Sequence, residues 1–249
     1  MLLADQCHIR VRMDQMEHDS HWIGHCTNQS QAHAEVCKRG NAMKKLMRKI
    51  FLEILGRYDS SRKTFWTGME KIHFLVTGIS FGKKLCTRGH IIVYNRGKVT
   101  IGDNVTINSS GWSNPIGGGE HTYIQVFPQG SISIGNGVGI SNTALTSRAK
   151  IEIHDHVLIG AGCKIYDTDF HPLEDFYRYG PQKDNSHIAS KGIVIEEGAF
   201  IGGGSYILKG AHIGRNAIVG ASSVVTGIIP EGEIWAGNPA RFIKKAPGY

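Results

Sequence analysis

The segment D-T-D-F-H-P-L at residues 167–173 contains a side chain suited to proton transfer. His171 follows Asp167 and Asp169 and directly precedes Pro172. An imidazole has an unperturbed pKa near ~6.5, so it can take a proton from a hydroxyl group at neutral pH. The proline stiffens the segment, and we expect the two acids to fix the imidazole tautomer. We therefore predict that His171 is a general base.

A run of three glycines, Gly202–Gly204, offers a second kind of chemistry. Backbone N–H groups in a glycine-rich turn are not covered by side chains, so they can donate hydrogen bonds to an oxyanion. Glycines at such a place also serve simply as turn residues. The sequence leaves both roles open for this run.

Glycine is over-represented in only one part of the chain. The 249 residues include 32 glycines, and 25 of these lie in 97–249. The 32 glycines make up about 13% of the residues, against a usual share of roughly 7%. Without a Gly-X-Y period, and with only 7 prolines, the composition excludes collagen and most linkers. The glycine-rich region must therefore make many tight turns.

The same region has a hydrophobic period of six residues. Aliphatic residues recur at this spacing in four runs, which are Ile195, Ile201, Ile207, Ile213, Val219 and Val225; Ile153, Ile159 and Ile165; Ile134 and Ile140; and Ile101 and Ile107. Such a period fits neither the 3.6 residues of a helix nor the alternation of a flat strand. It predicts short strands joined by turns. Three of them close a coil of about 18 residues, and coils of this kind stack into a solenoid.

Two segments interrupt the repeat, at residues 109–122 and at residues 166–191. A stack of coils supplies rigidity, whereas long insertions commonly carry function. The second insertion contains His171. We therefore expect the functional site to lie where these insertions leave the solenoid.

These residues resemble the hexapeptide-repeat acyltransferases, most closely the maltose, galactoside and capsular-polysaccharide O-acetyltransferases. The resemblance covers about residues 91–243 and is carried by the repeat, by D-T-D-F-H-P-L and by A-G-N-P-A-R at 236–241. It implies a mostly β fold, a left-handed parallel β-helix with an N-terminal helical segment and two loop insertions. The left hand follows from the resemblance alone, because ordinary parallel crossovers are right-handed.

The resemblance also implies an acetyl-CoA-dependent O-acetyltransferase that acts on a sugar or polysaccharide precursor, with no metal required. His171 matches the catalytic histidine of the family. We expect the acceptor oxygen to attack the thioester directly, without an acyl-enzyme, because Cys163 follows I-G-A-G as a small residue of a coil.

Further site residues follow from the same likeness. Contacts to acetyl-CoA are implied at Gly203, Ala221, Thr226 and Arg241, and the charge of Lys244 also suits the nucleotide phosphates. Asn142 matches an acceptor-binding asparagine, whose amide group both donates and accepts hydrogen bonds. We expect Asp169, Tyr177 and Trp112 to complete the acceptor site, with the two aromatic rings against a pyranose.

The family likeness further implies a homotrimer whose active sites lie between subunits. Three alternatives remain open: a serine or xenobiotic acetyltransferase, a non-catalytic β-helix scaffold, and a γ-type carbonic anhydrase. The last has little support, because His154 and His156 are two residues apart rather than about five as in that family.

The N-terminal third differs from the rest. We predict a helical region over 43–90, in which residues 43–58 combine apolar residues at helical spacing with a basic start. This stretch is expected to pack on the solenoid or on a neighbouring subunit, with peripheral contact to an anionic membrane as the alternative. Residues 1–42 have no periodicity and are predicted to be a disordered or non-native leader, and residues 244–249 a tail.

The net charge of +7 does not indicate a nucleic-acid partner, because it is unevenly distributed. Residues 1–96 carry 16 Lys and Arg against 8 Asp and Glu, and residues 97–249 carry 12 against 13. The predicted solenoid is therefore nearly neutral. Five cysteines without a C-x-x-C pair, and no signal sequence, predict a reducing, cytoplasmic location.

Overall fold

The structure is a computed structural model that describes the backbone of residues 23–114, 121–179 and 184–249, and side chains from residue 44 onward. The chain divides into two compact units, Met1–Arg57 and Tyr58–Tyr249. Where it is described, the first unit is part of the long helix α1 (Ile23–Val76). The described strands all belong to the second unit.

Helix α1 changes the predicted N-terminal boundaries. It begins at Ile23, so the part of the predicted leader that the structure describes is helical, whereas residues 1–22 lie outside the described residues. It also ends at Val76, well before the end of the predicted helical region 43–90. Among the described residues, no helix is long and apolar enough to cross a lipid bilayer.

The helix ends at Val76 for local reasons. The Thr77 hydroxyl donates to the carbonyl oxygen of His73 at 2.8 Å. Gly78 follows with a φ of 71°, a left-handed conformation that glycine adopts without a steric penalty at a helix end. The chain can therefore leave the helix and enter its first strand at once.

Short strands make up most of the second unit. In chain order they are β1 (Ile79–Phe81), β2 (Cys86–Arg88), β3 (Ile92–Asn95), β4 (Lys98–Ile101), β5 (Thr106–Asn108), β6 (Tyr123–Val126), β7 (Ser131–Ile134), β8 (Gly139–Ser141), β9 (Ala144–Ser147), β10 (Ile151–Ile153), β11 (Leu158–Ile159), β12 (Lys164–Tyr166), β13 (Ile193–Ile195), β14 (Phe200–Ile201), β15 (Tyr206–Leu208), β16 (His212–Ile213), β17 (Ile218–Val219), β18 (Val224–Val225), β19 (Ile228–Ile229), β20 (Glu233–Ala236) and β21 (Arg241–Lys245). A five-residue helix α2 (Asp175–Tyr179) and a 3-10 turn (Asn185–His187) lie between β12 and β13.

These strands form three sheets, and from β1 to β20 consecutive strands belong to different sheets and pair in parallel with strands of the neighbouring coils. The first sheet has the order β1-β4-β7-β10-β13-β16-β19, the second β2-β5-β8-β11-β14-β17-β20-β21, and the third β3-β6-β9-β12-β15-β18. Three strands therefore make one coil, and each coil stacks on the previous one. The one antiparallel pair among the described strands is β20 with β21.

The aliphatic residues of the six-residue period form the core. Ile153 pairs in register with Ile134 and with Ile195, and Ile195 pairs with Ile213. All four side chains are buried. The predicted stacking of the period into an internal ladder is confirmed.

The solenoid starts earlier than predicted. Its first coil uses Ile79, Leu85 and Ile91, which are buried and keep the spacing of six. The predicted start at residue 91 is therefore too late and leaves out β1 and β2, the first two strands of this coil. Phe74 at the end of α1 is buried in the same core cluster, so the helix end and the first coil form one apolar unit.

The C-terminal end also differs from the prediction of a tail over 244–249. Strand β21 extends through Lys245 and pairs with β20. Ala246 is buried, and the amide of Asn216 donates to the Tyr249 hydroxyl at 2.5 Å. Backbone pairing and these contacts therefore fold the last residues back on the final coils.

Two neighbouring isoleucines of β19 test the ladder directly. Ile229 is 1% exposed and Ile228 is 69% exposed. We predict that Ile229→Ala lowers the free energy of unfolding by about 2–5 kcal/mol, because it leaves a cavity in the core. Ile228→Ala is the matched control and should change it by less than about 1 kcal/mol. Equal losses in urea unfolding would contradict the inward position of the ladder.

Candidate active site

Two lines of corners run along the solenoid, one at each end of the third sheet. At the entry corner, as we call it, the chain passes from the second sheet to the third. At the exit corner it passes from the third sheet to the first. The predicted site residues of the solenoid lie mainly on these two lines.

The entry corner brings the predicted Asn142 and the predicted coenzyme contacts onto one line. Backbone hydrogen bonds join successive corners: Asn142 N–H to the Asn108 oxygen (2.9 Å), Gly162 N–H to the Asn142 oxygen (3.0 Å), Gly204 N–H to the Ala161 oxygen (2.8 Å), and Ser222 N–H to the Gly203 oxygen (2.9 Å). Asn142 is buried, with a φ of 42°. Ala221 is exposed at the last of these corners.

The glycine run 202–204 is at this corner for a steric reason. A Cβ atom on Gly202 would lie 2.5 Å from the Ala221 nitrogen, so only glycine lets the two coils approach this closely. The N–H groups of Gly202 and Gly204 donate to the oxygens of Val219 and Ala161. Within the described part of the chain, the Gly203 N–H has no acceptor, so it is the donor of the run that remains for a ligand.

The second insertion leaves the exit corner and is closed at its base. The Lys191 N–H donates to the Asp167 oxygen at 2.9 Å, and the Asp169 N–H donates to the Ala189 oxygen at 3.1 Å. Thr168 and Ser190 form an antiparallel bridge, and the Ser190 hydroxyl donates to the Thr168 hydroxyl oxygen at 3.0 Å. The insertion therefore begins and ends at one fixed point on the solenoid.

Asp167 fastens this point with a fully buried carboxylate. Its oxygens accept hydrogen bonds from the Ser147 hydroxyl (2.7 Å), the Arg148 N–H (2.7 Å) and the Ala149 N–H (2.9 Å). These donors lie at the exit corner of the preceding coil. The sequence-based expectation that Asp167 fixes the imidazole tautomer is wrong, because its side chain points into this corner.

Asp169 is also held by the solenoid. Its Oδ1 atom lies 2.6 Å from the Lys209 Nζ atom, at the exit corner of the following coil. Phe170 comes next with a φ of 65°, and its ring packs edge-on against Tyr166 at 5.1 Å. The contacts of Asp169 therefore serve the loop, and His171 follows as an exposed side chain.

The rest of the insertion folds on itself. The rings of Tyr177 and His187 stack at 3.6 Å with an angle of 8°. An Nη1 atom of Arg178 donates to the Pro172 oxygen at 3.2 Å, which ties α2 to the residue after His171. The predicted ring of Tyr177 is thus in the same insertion as His171, with one face covered by an imidazole.

Trp112 lies in the first insertion, which leaves the entry corner between β5 and β6. The Arg62 guanidinium of α1 lies 4.0 Å from the centre of its ring. The ring of Trp112 thus contacts Arg62 of α1. The sequence-based prediction was that this ring lies in the acceptor site together with Tyr177 of the second insertion. Sequence spacing carried no sign of the contact, because Arg62 is fifty residues away. Residues 115–120 of this insertion lie outside the described residues.

The remaining predicted coenzyme contacts lie towards the C-terminal end. Thr226 is exposed at the exit corner that follows β18. Arg241 and Lys244 are exposed on β21, where they pair with Ala236 and Ile234 of β20. The two cations therefore lie beside the second sheet, and neither has a carboxylate partner among the described residues.

Cys163 is unsuited to nucleophilic chemistry. It is buried, and its thiol lies 3.3 Å from the Gly202 oxygen as a hydrogen-bond donor. Desolvation by burial raises the pKa of this thiol, so the reactive thiolate is disfavoured. The expectation that Cys163 is a structural residue of a coil agrees with this position.

The entry and exit corners are separated by the length of the third sheet. Its strands have two to four residues, and at about 3.3 Å per residue a four-residue strand spans about 13 Å. Asn142 comes before β9, whereas the insertion with His171 comes after β12. In a single chain the base and the glycine corner therefore lie at opposite ends of these strands.

Comparisons with known proteins agree with this architecture. Residues 192–227 match the family described as bacterial transferase hexapeptide (six repeats). The chain is similar to a point mutant of AntD, an N-acyltransferase from Bacillus cereus, in complex with dTDP and Coenzyme A. The identity is 26% over 72% of this chain and 89% of that chain, with a TM-score of 0.53.

Two further structures are similar. A second AntD mutant in complex with dTDP and Coenzyme A has 25% identity over 73% of this chain and 89% of that chain, with a TM-score of 0.50. A hexapeptide-repeat-containing acetyltransferase from Vibrio cholerae has 28% identity over 67% and 73%, with a TM-score of 0.45. No curated protein sequence matches the chain.

These findings agree with the predicted fold. The chain is a mostly β, left-handed parallel β-helix, its residues 192–227 match the bacterial transferase hexapeptide repeats, and its structure is similar to that of an N-acyltransferase.

The buried carboxylate of Asp167 gives a test of how the insertion is held. We predict that Asp167→Asn lowers the free energy of unfolding by about 1–3 kcal/mol, because the amide NH2 that replaces one carboxylate oxygen faces at least one backbone N–H donor and cannot accept its hydrogen bond. Glu174→Gln is the matched control, since Glu174 is exposed in the same insertion. Urea unfolding gives the energies, and limited proteolysis should cut within 168–190 faster in Asp167→Asn only. Unchanged stability and cleavage would contradict the fastening role.

Proposed function

We propose that the protein transfers an acetyl group from acetyl-CoA to a hydroxyl group of a sugar or polysaccharide precursor, with His171 as general base. The observation that carries the proposal is the position of His171. It is exposed in an insertion whose base is closed and fastened to the solenoid by Asp167 and by the Asp169–Lys209 pair. A base must be held in place and still reach its substrate, and this arrangement supports both.

The proposed reaction uses His171 twice. Its neutral imidazole takes the proton of the acceptor hydroxyl while that oxygen forms a bond to the thioester carbonyl carbon. The Gly203 N–H donates to the oxyanion that develops. When the carbon–sulfur bond breaks, the imidazolium returns the proton to the leaving CoA sulfur, which gives the ester and free CoA. The burial of Cys163, which raises the pKa of its thiol, supports this direct transfer.

The coenzyme is proposed to lie along the entry corner, past Gly203 and Ala221, with Thr226 as a further contact. Arg241 and Lys244 are exposed cations that suit its phosphates. AntD was crystallised with Coenzyme A, which supports a CoA thioester as donor. The resemblance implies no metal for this reaction, and the proposed steps need none.

The acceptor is proposed to lie near Asn142 and the second insertion. Asn142 has the amide for hydroxyl recognition, and the open face of Tyr177 suits a sugar ring. Asp169 and Trp112 stay predictions as acceptor contacts. Both are engaged in this chain, with Lys209 and Arg62 respectively, and would have to share those contacts with a ligand.

A complete site is proposed to need two chains. His171 leaves the exit corner, whereas Gly203 and Ala221 lie on the entry corner at the other end of the third sheet. A neighbouring copy in a homotrimer can bring its own exit corner to this entry corner. The separation of the two lines in one chain is what supports this arrangement.

A second candidate function differs only in the atom that is acylated. AntD is an N-acyltransferase and was crystallised with dTDP. This likeness favours an amino group on a nucleotide-linked sugar as the alternative acceptor. The same base and the same oxyanion donor would serve an amine.

Peripheral membrane contact through 43–58 also remains a proposal. In the first unit, α1 exposes large apolar residues, which are Leu46, Met47, Ile50, Phe51, Ile54 and Leu55. Lys44, Lys45, Arg48 and Lys49 lie beside them in the sequence. This combination suits the surface of an anionic membrane, where glycan precursors on lipid carriers would be reached from the cytoplasm.

The proposal is tested by measuring CoA release from acetyl-CoA with sugars, glycan fragments, nucleotide-linked amino sugars and serine. We predict acceptor-dependent release that His171→Ala lowers by about 10²–10⁴-fold. His154→Ala is the matched control, because His154 is exposed on the solenoid outside the insertion. Mild alkaline hydroxylamine then distinguishes the two candidates, since it cleaves an ester product and leaves an amide intact. No acceptor-dependent release, or undiminished release in His171→Ala, would overturn the proposal.

A further inference from the structure

A buried carboxylate lies between α1 and the first coil, away from the proposed active site. Glu70 of α1 is 1% exposed, and a buried charge is costly unless polar partners surround it. Its Oε1 atom accepts from the Ile91 N–H at 3.2 Å. Its other close partners are two imidazoles.

Both imidazoles point the same kind of atom at this carboxylate. The His73 Nδ1 atom lies 3.0 Å from Oε2 of Glu70, and the His90 Nδ1 atom lies 2.8 Å from Oε1. The two rings stack with centres 5.4 Å apart. One ligand atom from each of the three residues can be chosen so that all lie within 4.8 Å of one another.

We propose that Glu70, His73 and His90 bind a divalent transition-metal ion of the Zn²⁺ type. Two imidazole nitrogens and a carboxylate oxygen are ligands that Zn²⁺ takes at about 2.0–2.2 Å. In a tetrahedral site such ligand atoms lie about 3.3 Å apart. The present Nδ1–Oε distances are shorter by only a few tenths of an ångström, and the three ligand atoms lie within 4.8 Å of one another, so small side-chain movements bring them to the spacing that the ion needs.

The local structure supplies the two halves of the site. Glu70 and His73 are three residues apart on α1, the Glu-x-x-His spacing that places both side chains on one helix face. His90 lies on the entry corner of the first coil, between β2 and β3. Its side chain is half exposed, and that of His73 is 28% exposed, so water has access to the fourth ligand position.

Metal binding also requires one particular tautomer of both rings. A histidine that binds a metal through Nδ1 carries its proton on Nε2, and Glu70 must be ionised. No proton has to remain between the carboxylate and the rings. The ion would therefore replace two hydrogen bonds with bonds to one centre that joins α1 to the first coil.

The proposed role is structural. The second insertion leaves the fourth coil, and three coil spacings of about 4.8 Å place it about 14 Å further along the solenoid. Acetyl transfer is therefore expected to proceed without the ion. Its effect should appear as resistance of the second unit to unfolding, because the ion binds only the folded arrangement.

The test uses the full chain, with Zn²⁺ and Co²⁺ as probes. We expect His73→Asn/His90→Asn to retain one equivalent of Zn²⁺ fewer than wild type after dialysis. The matched control is His121→Asn/His154→Asn, which should retain as much as wild type. Taking a difference between variants removes the contribution of histidines and cysteines in residues 1–42.

A local readout distinguishes this site from the N-terminal residues. The Trp66 ring lies 6.3 Å from the His90 ring, so bound Co²⁺ should quench Trp66 fluorescence. We expect saturable quenching that Zn²⁺ reverses, and its absence in His73→Asn/His90→Asn and in Trp66→Phe. Zn²⁺ should also raise the unfolding temperature of wild type and of the control variant alone.

Equal Zn²⁺ retention in both double variants, or Co²⁺ quenching as strong in His73→Asn/His90→Asn as in wild type, would overturn the proposal. Glu70 would then serve only as a hydrogen-bond acceptor for the two imidazoles. Circular dichroism confirms that the variants are folded. Because His90 is half exposed, the single change His90→Asn gives a second test with little effect on the core.

Discussion

The close stacking of one corner on the next is the constraint on which the rest of this structure depends. Each coil turns three times and must still lie directly on its neighbour, because only then do the isoleucines of the ladder exclude water. At the entry corner this leaves no room for a side chain at Gly202. The same closeness joins successive corners by backbone hydrogen bonds, whereas the Gly203 N–H has no acceptor in the described part of the chain.

Both insertions leave the solenoid at these corners, so the corners fix where the insertions lie. The second insertion is rigid at its base because Asp167 accepts three hydrogen bonds from the preceding coil and Asp169 pairs with Lys209 of the following coil. Buried and paired charges thus fix the loop, while His171 remains exposed. The Asp167 carboxylate accepts hydrogen bonds from the corner of the preceding coil, so it is not available to orient the His171 imidazole.

The ladder could be predicted from the sequence because a period of six leaves a direct signal in the residue types. The coil at Ile79, Leu85 and Ile91 has the same spacing, yet it follows an apolar helix end, and Phe74 belongs to its core. A run of apolar residues at this junction is consistent with helix or strand, so the boundary was placed too late. The boundary between helix and solenoid is set by the packing of Phe74 against the first coil.

Contacts between residues that are far apart in the sequence could not be predicted from the sequence. Glu70 and His90 are twenty residues apart, and Arg62 and Trp112 are fifty apart, with no motif to join them. The sequence also could not show where the Asp167 side chain points, because its hydrogen-bond donors are N–H groups of another coil. His171, by contrast, could be named as a candidate base from the sequence, since its chemistry and its place in an interruption of the repeat are both visible in the residues.

The central claim is that the base and the glycine corner of one active site come from two chains. Mixing His171→Ala chains with Ala221→Trp chains, each inactive alone, tests it most directly. After random subunit exchange between equal amounts of the two variants, about one quarter of all sites should pair an intact base with an intact corner, so CoA release should reappear at about that fraction of wild type. Activity no higher than the sum of the two separate variants would contradict the account.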